Sequence, residues 1–344
     1  MKTYKKPADI KVGVIGYGGA FNMGRQHLQQ MQSTGMVPVA VAEVDPARLA
    51  VAIEDFPGIA IFSSVTEMLK KSDVDLVVII TPHNTHASLA IECLKAGCHV
   101  VCEKPLAITT AEVDAMIQAA KKSGTMLSTY HNRHWDGRIR HAVDLVKKRE
   151  VIGEVVRIEC HMGGYSKPAD WWRTSRTISG GILYDWGVHL LEYSLQLIDS
   201  DVKEVSGFAH EGFWGPQTKW KDDANEDEGF LVVRFKGSQW LTLGITHLDS
   251  KGKEGWIEVT GTKGSIVIDG GHTTLYQHLK GRSVITKMNH PADEGIRYYE
   301  NVADYLTGKA ELVITAEWSR RPIHILDLAA RSAKAGKALS AKYA

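Results

Sequence analysis

Lys11-Val12-Gly13-Val14-Ile15-Gly16-Tyr17-Gly18-Gly19-Ala20-Phe21-Asn22-Met23-Gly24 is the stretch whose reading decides the fold. A short run of apolar β-formers enters a glycine turn, and a segment with helical character follows over residues 23–32. Strand, glycine turn and helix in that order bring backbone N–H groups to a helix N-terminus, where they and the helix dipole receive a pyrophosphate. A side chain at Gly16 or Gly18 would collide with that ligand. The strict G-x-G-x-x-G spacing fails, because Phe21 stands where the third glycine belongs and the next glycine is Gly24. The loop therefore reads as lengthened, with Gly16, Gly18, Gly19, Ala20, Phe21 and Asn22 as its cofactor-contacting residues.

Working outward, the second strand, residues 37–42, ends in Glu43, placed to accept hydrogen bonds from an adenosine ribose. An acid there repels a 2′-phosphate and no arginine follows at once, which favours NAD over NADP, although Arg48 keeps NADP open. Residues 64–67 carry a capping-box start, and the apolar run 74–80 suits a strand buried on both faces of a parallel sheet. Its carboxyl end leads into Thr81, Pro82, His83 and His86, assigned to the cofactor pocket, and then into a helix over 87–96. Two histidines without a nearby cysteine or carboxylate set make a poor zinc site, so no metal is expected. Strand 99–102 ends in Glu103-Lys104-Pro105-Leu106, which places Glu103 and Lys104 beside the nicotinamide end of the same pocket.

A last strand at 126–129 closes this α/β part, and the boundary falls near Tyr130, dividing the chain into 1–130 and 131–344. Beyond a helical pattern at 135–148, the style changes. Strand-like segments at 151–160, 230–235, 240–246, 256–260 and 265–268 are separated by glycine turns, as in an antiparallel meander, so the second domain reads as α+β. Helices near 296–306 and 316–337 follow, with Pro322 expected to kink or delay the latter. The acidic segment 222–229 lacks the glycine and the final acid of a calcium loop and reads as a solvated loop.

Between the first strand of the meander domain and the rest lies Gly180-Gly181-Ile182-Leu183-Tyr184-Asp185-Trp186-Gly187-Val188-His189. Read as a helix to Ile198, this stretch sets Asp185 and His189 one turn apart on one face, able to address one small molecule. By itself the pair reads first as a cap-like acid and a buried, satisfied histidine. Just upstream, Tyr165, Trp171, Trp172 and Arg173 offer aromatic faces for a sugar ring and a cation for a carboxylate or phosphate.

Composition bounds the partners. The 344-residue chain carries a formal charge of +1 and no basic block, which argues against nucleic acid or an anionic membrane surface. No run spans a bilayer and no signal core follows the basic start, so a cytoplasmic protein is expected. Cys93, Cys98, Cys102 and Cys160 lack zinc-site spacing and read as small buried thiols.

The glycine turn, Thr81-Pro82 with His86, Glu103-Lys104-Pro105-Leu106, and Gly180-Gly181 with Asp185 and His189 together resemble the Gfo/Idh/MocA oxidoreductase family, nearly end to end. The resemblance implies a Rossmann dinucleotide-binding domain and an α+β domain with a large open, mainly antiparallel sheet used for homodimer or homotetramer formation. It also implies NAD(P)-dependent hydride transfer between nicotinamide and a secondary alcohol or carbonyl of a sugar, inositol or related polyol. Lys104, Asp185 and His189 match the family's catalytic lysine, aspartate and histidine. The substrate set is then Lys104, Tyr165, Trp172, Arg173, Asp185 and His189. Relatives that use NAD to oxidise a sugar transiently and eliminate a glycosidic bond, and noncatalytic NAD-responsive regulators, are the competing expectations.

Overall fold

The structure is a computed structural model and describes residues 2–342. The chain forms two compact units, Met1–Asn132 with Ile296–Arg320, and Arg133–Gly295 with Arg321–Ala344. The expectation of a second domain running unbroken from residue 131 therefore needs revision: a late segment rejoins the first unit. Apolar side chains from far along the chain, among them Tyr298, Tyr299 and Leu306, are buried. Sequence separation carries no information about such packing.

In the first unit, β1 (Lys11–Ile15), β2 (Val37–Ala42), β3 (Ala60–Phe62), β4 (Leu76–Ile79), β5 (His99–Cys102) and β6 (Leu127–Thr129) form a parallel sheet in the order β3-β2-β1-β4-β5-β6. Helices α1 (Met23–Ser33), α2 (Pro46–Asp55), α3 (Val65–Lys71), α4 (His86–Lys95) and α5 (Thr110–Ser123) supply the crossovers. This is the doubly wound Rossmann order, in which ligands bind beyond the carboxyl ends of the strands where the order reverses, here between β1 and β4. Every residue of β4 and β5 is buried, as covering of both sheet faces requires. Local chemistry sets the helix starts: Ser64 Oγ accepts from Glu67 N at 3.2 Å, and Thr109 and Glu112 form a reciprocal capping box.

The second unit begins with α6 (Gly137–Val143), which passes into a π-turn over Asp144–Lys148 where one longer helix was expected. Then come β7 (Val155–Gly163), the single turn α7 (Arg176–Ser179) and α8 (Gly187–Leu195). Strands β8 (Val202–His210), β9 (Glu228–Phe235), β10 (Trp240–Thr246), β11 (Ile257–Gly261), β12 (Gly264–Ile268), β13 (His272–Leu279), β14 (Arg282–Asn289) and β15 (Leu339–Ser340) follow. They and β7 form one nine-stranded sheet, β14-β13-β12-β11-β7-β10-β9-β8-β15, antiparallel except where β7 pairs with β10. Helix α8 packs on β10, where Gly187 approaches Leu243 and Ile245. The helix Ala316–Ala335 starts before Pro322 and runs through it, so the proline neither delays nor ends it.

Candidate active site

In the first unit the sequence-selected residues gather at the carboxyl ends of β1, β2, β4 and β5. Gly16 adopts φ +97° and an added Cβ would lie 2.6 Å from the Ile80 carbonyl oxygen, so the protein itself demands glycine there. Gly24 lies equally close to the turn, with a Cβ 2.6 Å from the Tyr17 ring and 2.9 Å from Gly16 O. It thus provides the close helix–turn packing that the third glycine of the shorter loop would give. A Cβ at Gly18 would meet no protein atom within 4 Å. Gly18 to Asn22 are exposed, and Asn22 precedes α1 in the left-handed region at φ 50° without a side-chain cap. An uncapped helix start behind an exposed glycine turn fits a pyrophosphate.

The Tyr17 peptide is gripped from both ends. Its N–H donates to Glu43 Oε2 at 2.6 Å, and its carbonyl accepts from Arg48 Nε at 2.9 Å. Arg48 also reaches Asn22 Oδ1 at 3.4 Å, so it braces the phosphate loop, a role that spacing alone did not reveal. Glu43 Oε1 takes the N–H groups of Val44 and Asp45 at 2.7 and 3.1 Å. With three of its roughly four acceptor sites used inside the chain, Glu43 is held in one orientation and keeps capacity for a ribose hydroxyl.

His83 and His86 are both buried, and the His86 ring nitrogens lie 2.8 Å from the Thr81 and 2.8 Å from the Pro105 carbonyl oxygens. His86 therefore ties the turn after β4 to the turn after β5. Thr81 shares a 2.7 Å hydroxyl bond with Thr85. Glu103 is likewise engaged within the protein: Oε2 accepts Lys104 N at 2.9 Å and Oε1 lies 3.1 Å from His27 Nε2. Burial pushes the Glu103 carboxyl up, but the bond from His27 and the charge of Lys104 leave it below its ordinary value, and so ionised. The Lys104–Pro105 peptide is cis.

In the second unit the expected single helix over 180–198 is broken. A 3₁₀ turn, Ile182–Tyr184, precedes Asp185, and α8 begins only at Gly187. The cause is local: Gly180 and Gly181 have φ of 96° and 126°, and Ile182 N is drawn to Glu226 Oε2 at 2.9 Å. Asp185 thus lies ahead of the helix and His189 within its first turn, and His189 N donates to Trp186 O at 3.1 Å. Asp185 Oδ1 accepts from Arg173 Nη1 at 3.0 Å, and the Arg173 guanidinium lies 5.2 and 4.7 Å from the Trp171 and Trp172 ring centres. Trp171, Trp172, Arg173 and Asp185 are therefore one assembly, with Asp185 oriented by a cation. Tyr165 packs against Phe213 and Trp214.

His189 is 5% exposed, between the Trp186 ring at 5.5 Å and the Tyr193 ring at 6.4 Å. Tyr193 Oη donates to Asp136 Oδ2 at 2.9 Å, and Arg133 bonds the same oxygen at 3.2 Å while covering the Trp186 ring at 5.1 Å. Sequence reading missed Arg133, Asp136 and Tyr193, whose only signal is a polar cluster following the first unit. Segment 222–229 is only partly solvated: Asp222 is exposed, but the loop turns inward after it. Asp227 is 1% exposed and accepts from Phe213 N and Trp214 N at 2.7 and 2.8 Å, and Asn225 Nδ2 donates to Arg173 O at 2.7 Å. Asp227 thus caps the backbone of residues 213–214, while Asn225 holds the Arg173 carbonyl and Glu226 accepts from Ile182 N beside the glycine pair. Among the described residues no group of His, Cys, Asp and Glu is arranged to hold a metal, and no helix is long and apolar enough to cross a membrane. The four cysteines are buried free thiols.

Residues 10–131 match a family model described as an oxidoreductase family with an NAD-binding Rossmann fold, and residues 148–341 match the model of its C-terminal alpha/beta domain. The chain is 25% identical to the scyllo-inositol 2-dehydrogenase (NADP(+)) of Bacillus subtilis, across 97% of this chain and 96% of that protein. It is 32% identical to inositol 2-dehydrogenase 2 of Paenarthrobacter aurescens, across 68% of each. Among solved structures, an NAD-binding protein from Listeria innocua shares the fold with a TM-score of 0.80 and 26% identity, across 96% of both chains.

Proposed function

Because the chain belongs to the Gfo/Idh/MocA oxidoreductase family, we propose that it oxidises a secondary hydroxyl of an inositol or similar cyclic polyol, with His189 as proton acceptor and Asp185 as the group that holds the substrate. The first unit is an NAD-binding Rossmann fold, and the enzyme is an NAD(P)-dependent oxidoreductase of the sugar and inositol type. The finer reading is supported above all by the state of Asp185. A carboxylate oriented by an arginine stacked on two indoles, four residues before a ring-flanked imidazole, suits a ligand offering both hydroxyls and an apolar ring face.

Bound NAD(P) supplies the hydride acceptor. His189, whose residue type titrates near neutrality, takes the hydroxyl proton as the alcohol becomes a carbonyl. Lys104 stabilises the negative charge that develops on that oxygen. Asp185 accepts hydrogen bonds from neighbouring hydroxyls, and Arg173 keeps its carboxylate in place through a charge-assisted bond. Glu43 favours NAD over NADP, and NADH is expected to bind more tightly than NADPH when both are titrated by nicotinamide fluorescence.

A panel of inositols and aldoses assayed with each oxidised cofactor tests the reading. Replacing His189 by Ala is expected to lower turnover by roughly 10²–10⁴-fold with NADH affinity unchanged. Full turnover in that variant would remove the base assignment. The exposed apolar side chains Trp240, Tyr276 and Ile285 on the sheet, the last two directly paired across β13 and β14, support a homo-oligomer formed through that face. Sedimentation should give a dimer or tetramer, shifted toward monomer by Ile285→Lys.

A further inference from the structure

Lys104 is carried by a short turn between the end of β5 and Pro105, and a flexible lysine on a flexible turn would be poorly aimed at a reacting oxygen. The residue just before it is anchored from an unexpected direction. His27, on the face of α1 turned to the core, is fully buried. Its Nε2 lies 3.1 Å from Glu103 Oε1, and the other Glu103 oxygen accepts Lys104 N at 2.9 Å. On the far side of the imidazole, Nδ1 lies 2.6 Å from the Tyr299 hydroxyl, itself on the late segment that rejoins this unit. The ring packs edge-on against Tyr130 at 4.3 Å between centres.

The chemistry of the partners orders these bonds. An ionised carboxylate only accepts, so His27 Nε2 carries hydrogen toward Glu103. In the neutral ring Nδ1 is then the acceptor and the Tyr299 hydroxyl donates to it, which fixes the tautomer. On the other side of the lysine, His86 holds the Pro105 carbonyl at 2.8 Å. The turn is thus gripped at the residue before Lys104 through α1 and at the residue after it through α4.

We propose that His27 is a positioning residue for Lys104, acting through Glu103 with Tyr299 setting its tautomer. The inference rests on the role assigned to Lys104 above. It links the helix that begins at the phosphate loop to the group proposed to stabilise the alkoxide, by one buried side chain that touches neither cofactor nor substrate in that reading.

The test compares His27→Leu, which removes the donor, with His27→Gln, whose amide nitrogen falls near the place of Nε2, and with Tyr299→Phe, all in the full-length chain. Acetylation of Lys104 by N-hydroxysulfosuccinimidyl acetate, followed by peptide mass spectrometry with exposed Lys95 as the internal control, needs no knowledge of the substrate. His27→Leu is expected to change the Lys104 rate several-fold while Lys95 is unaffected, and His27→Gln to restore it. With the polyol that wild type oxidises best, His27→Leu should lose roughly a hundredfold in kcat, with the dissociation constant for NADH and KM little changed, and His27→Gln should recover most of it. Unchanged Lys104 labelling in folded His27→Leu overturns the proposal, as does a loss that His27→Gln fails to rescue. If His27→Leu does not fold, Tyr299→Phe carries the test: altered Lys104 labelling supports the proposal and unaltered labelling overturns it. Altered and rescued labelling in a chain that oxidises no polyol would leave the positioning role standing and remove the functional reading instead.

Discussion

At the scale of single residues, the most informative contact is Arg173 with Asp185. Both charges are partly shielded, and the guanidinium lies beside two indole rings, so the pair is more than a screened surface bridge. Replacing Asp185 by Asn keeps the shape but removes the charge-assisted bond. Loss of such a bond to substrate and to Arg173 is expected to lower kcat/KM roughly 10- to 100-fold, measured with the best polyol. Because Arg173 acts through Asp185, the double variant with Arg173→Ala should fall short of the summed single losses, with a coupling of about 0.5–3 kcal/mol. Additive losses would mean that Arg173 contacts the substrate by itself. The residue types in this pair were visible in the sequence, as candidates of separate purpose. Their pairing was not, because they stand twelve positions apart across a single helical turn and two positive-φ glycines.

At the scale of elements, two loops differ in how much the protein itself dictates. Gly16 and Gly18 look alike in a motif but have different surroundings. Alanine at Gly16 would sit against the Ile80 carbonyl in a left-handed backbone, so Gly16→Ala should lower the melting temperature as well as NADH affinity. Gly18→Ala meets no protein atom within 4 Å, and a variant with unchanged melting and weaker NADH binding would mark ligand contact at Gly18. The acidic loop behaves in the opposite sense to its composition. Asp227 is buried because it caps two N–H groups, and Asp227→Asn places an amide donor against one of them. Its cost is expected to be about 1–3 kcal/mol in thermal or denaturant unfolding. A charge-rich segment reads as solvated until the backbone donors that it serves are known, and these lie elsewhere in the chain.

At the scale of the whole molecule, buried histidines set the acid limit. Burial pushes His99 down to about 4, against the opposing charge of Asp75, and its Nδ1 accepts from Met126 N at 2.9 Å, which requires the neutral ring. Below pH ~6.5 the unfolded chain binds a proton at this residue that the native state refuses until about pH 4. Stability is therefore lost as pH falls through that window, by up to about 3 kcal/mol. Denaturant melts at pH 7 and pH 4.5 should show the loss, and His99→Asn, which keeps an acceptor for Met126 N, should reduce it. The alternation of strands and helices, the glycine turn, the capping boxes and the residues waiting at the strand ends were all determined by the sequence itself. Each depends on periodicity, backbone sterics or hydrogen bonding between near neighbours. The return of Tyr298 and Tyr299 to the first unit, the His27–Glu103 link, the Arg173–Asp185 pair and the inward turn of Asp227 were decided only by tertiary structure. Those contacts join residues that local rules treat independently, and they exist because burying a polar group is tolerable only where packing brings it a partner.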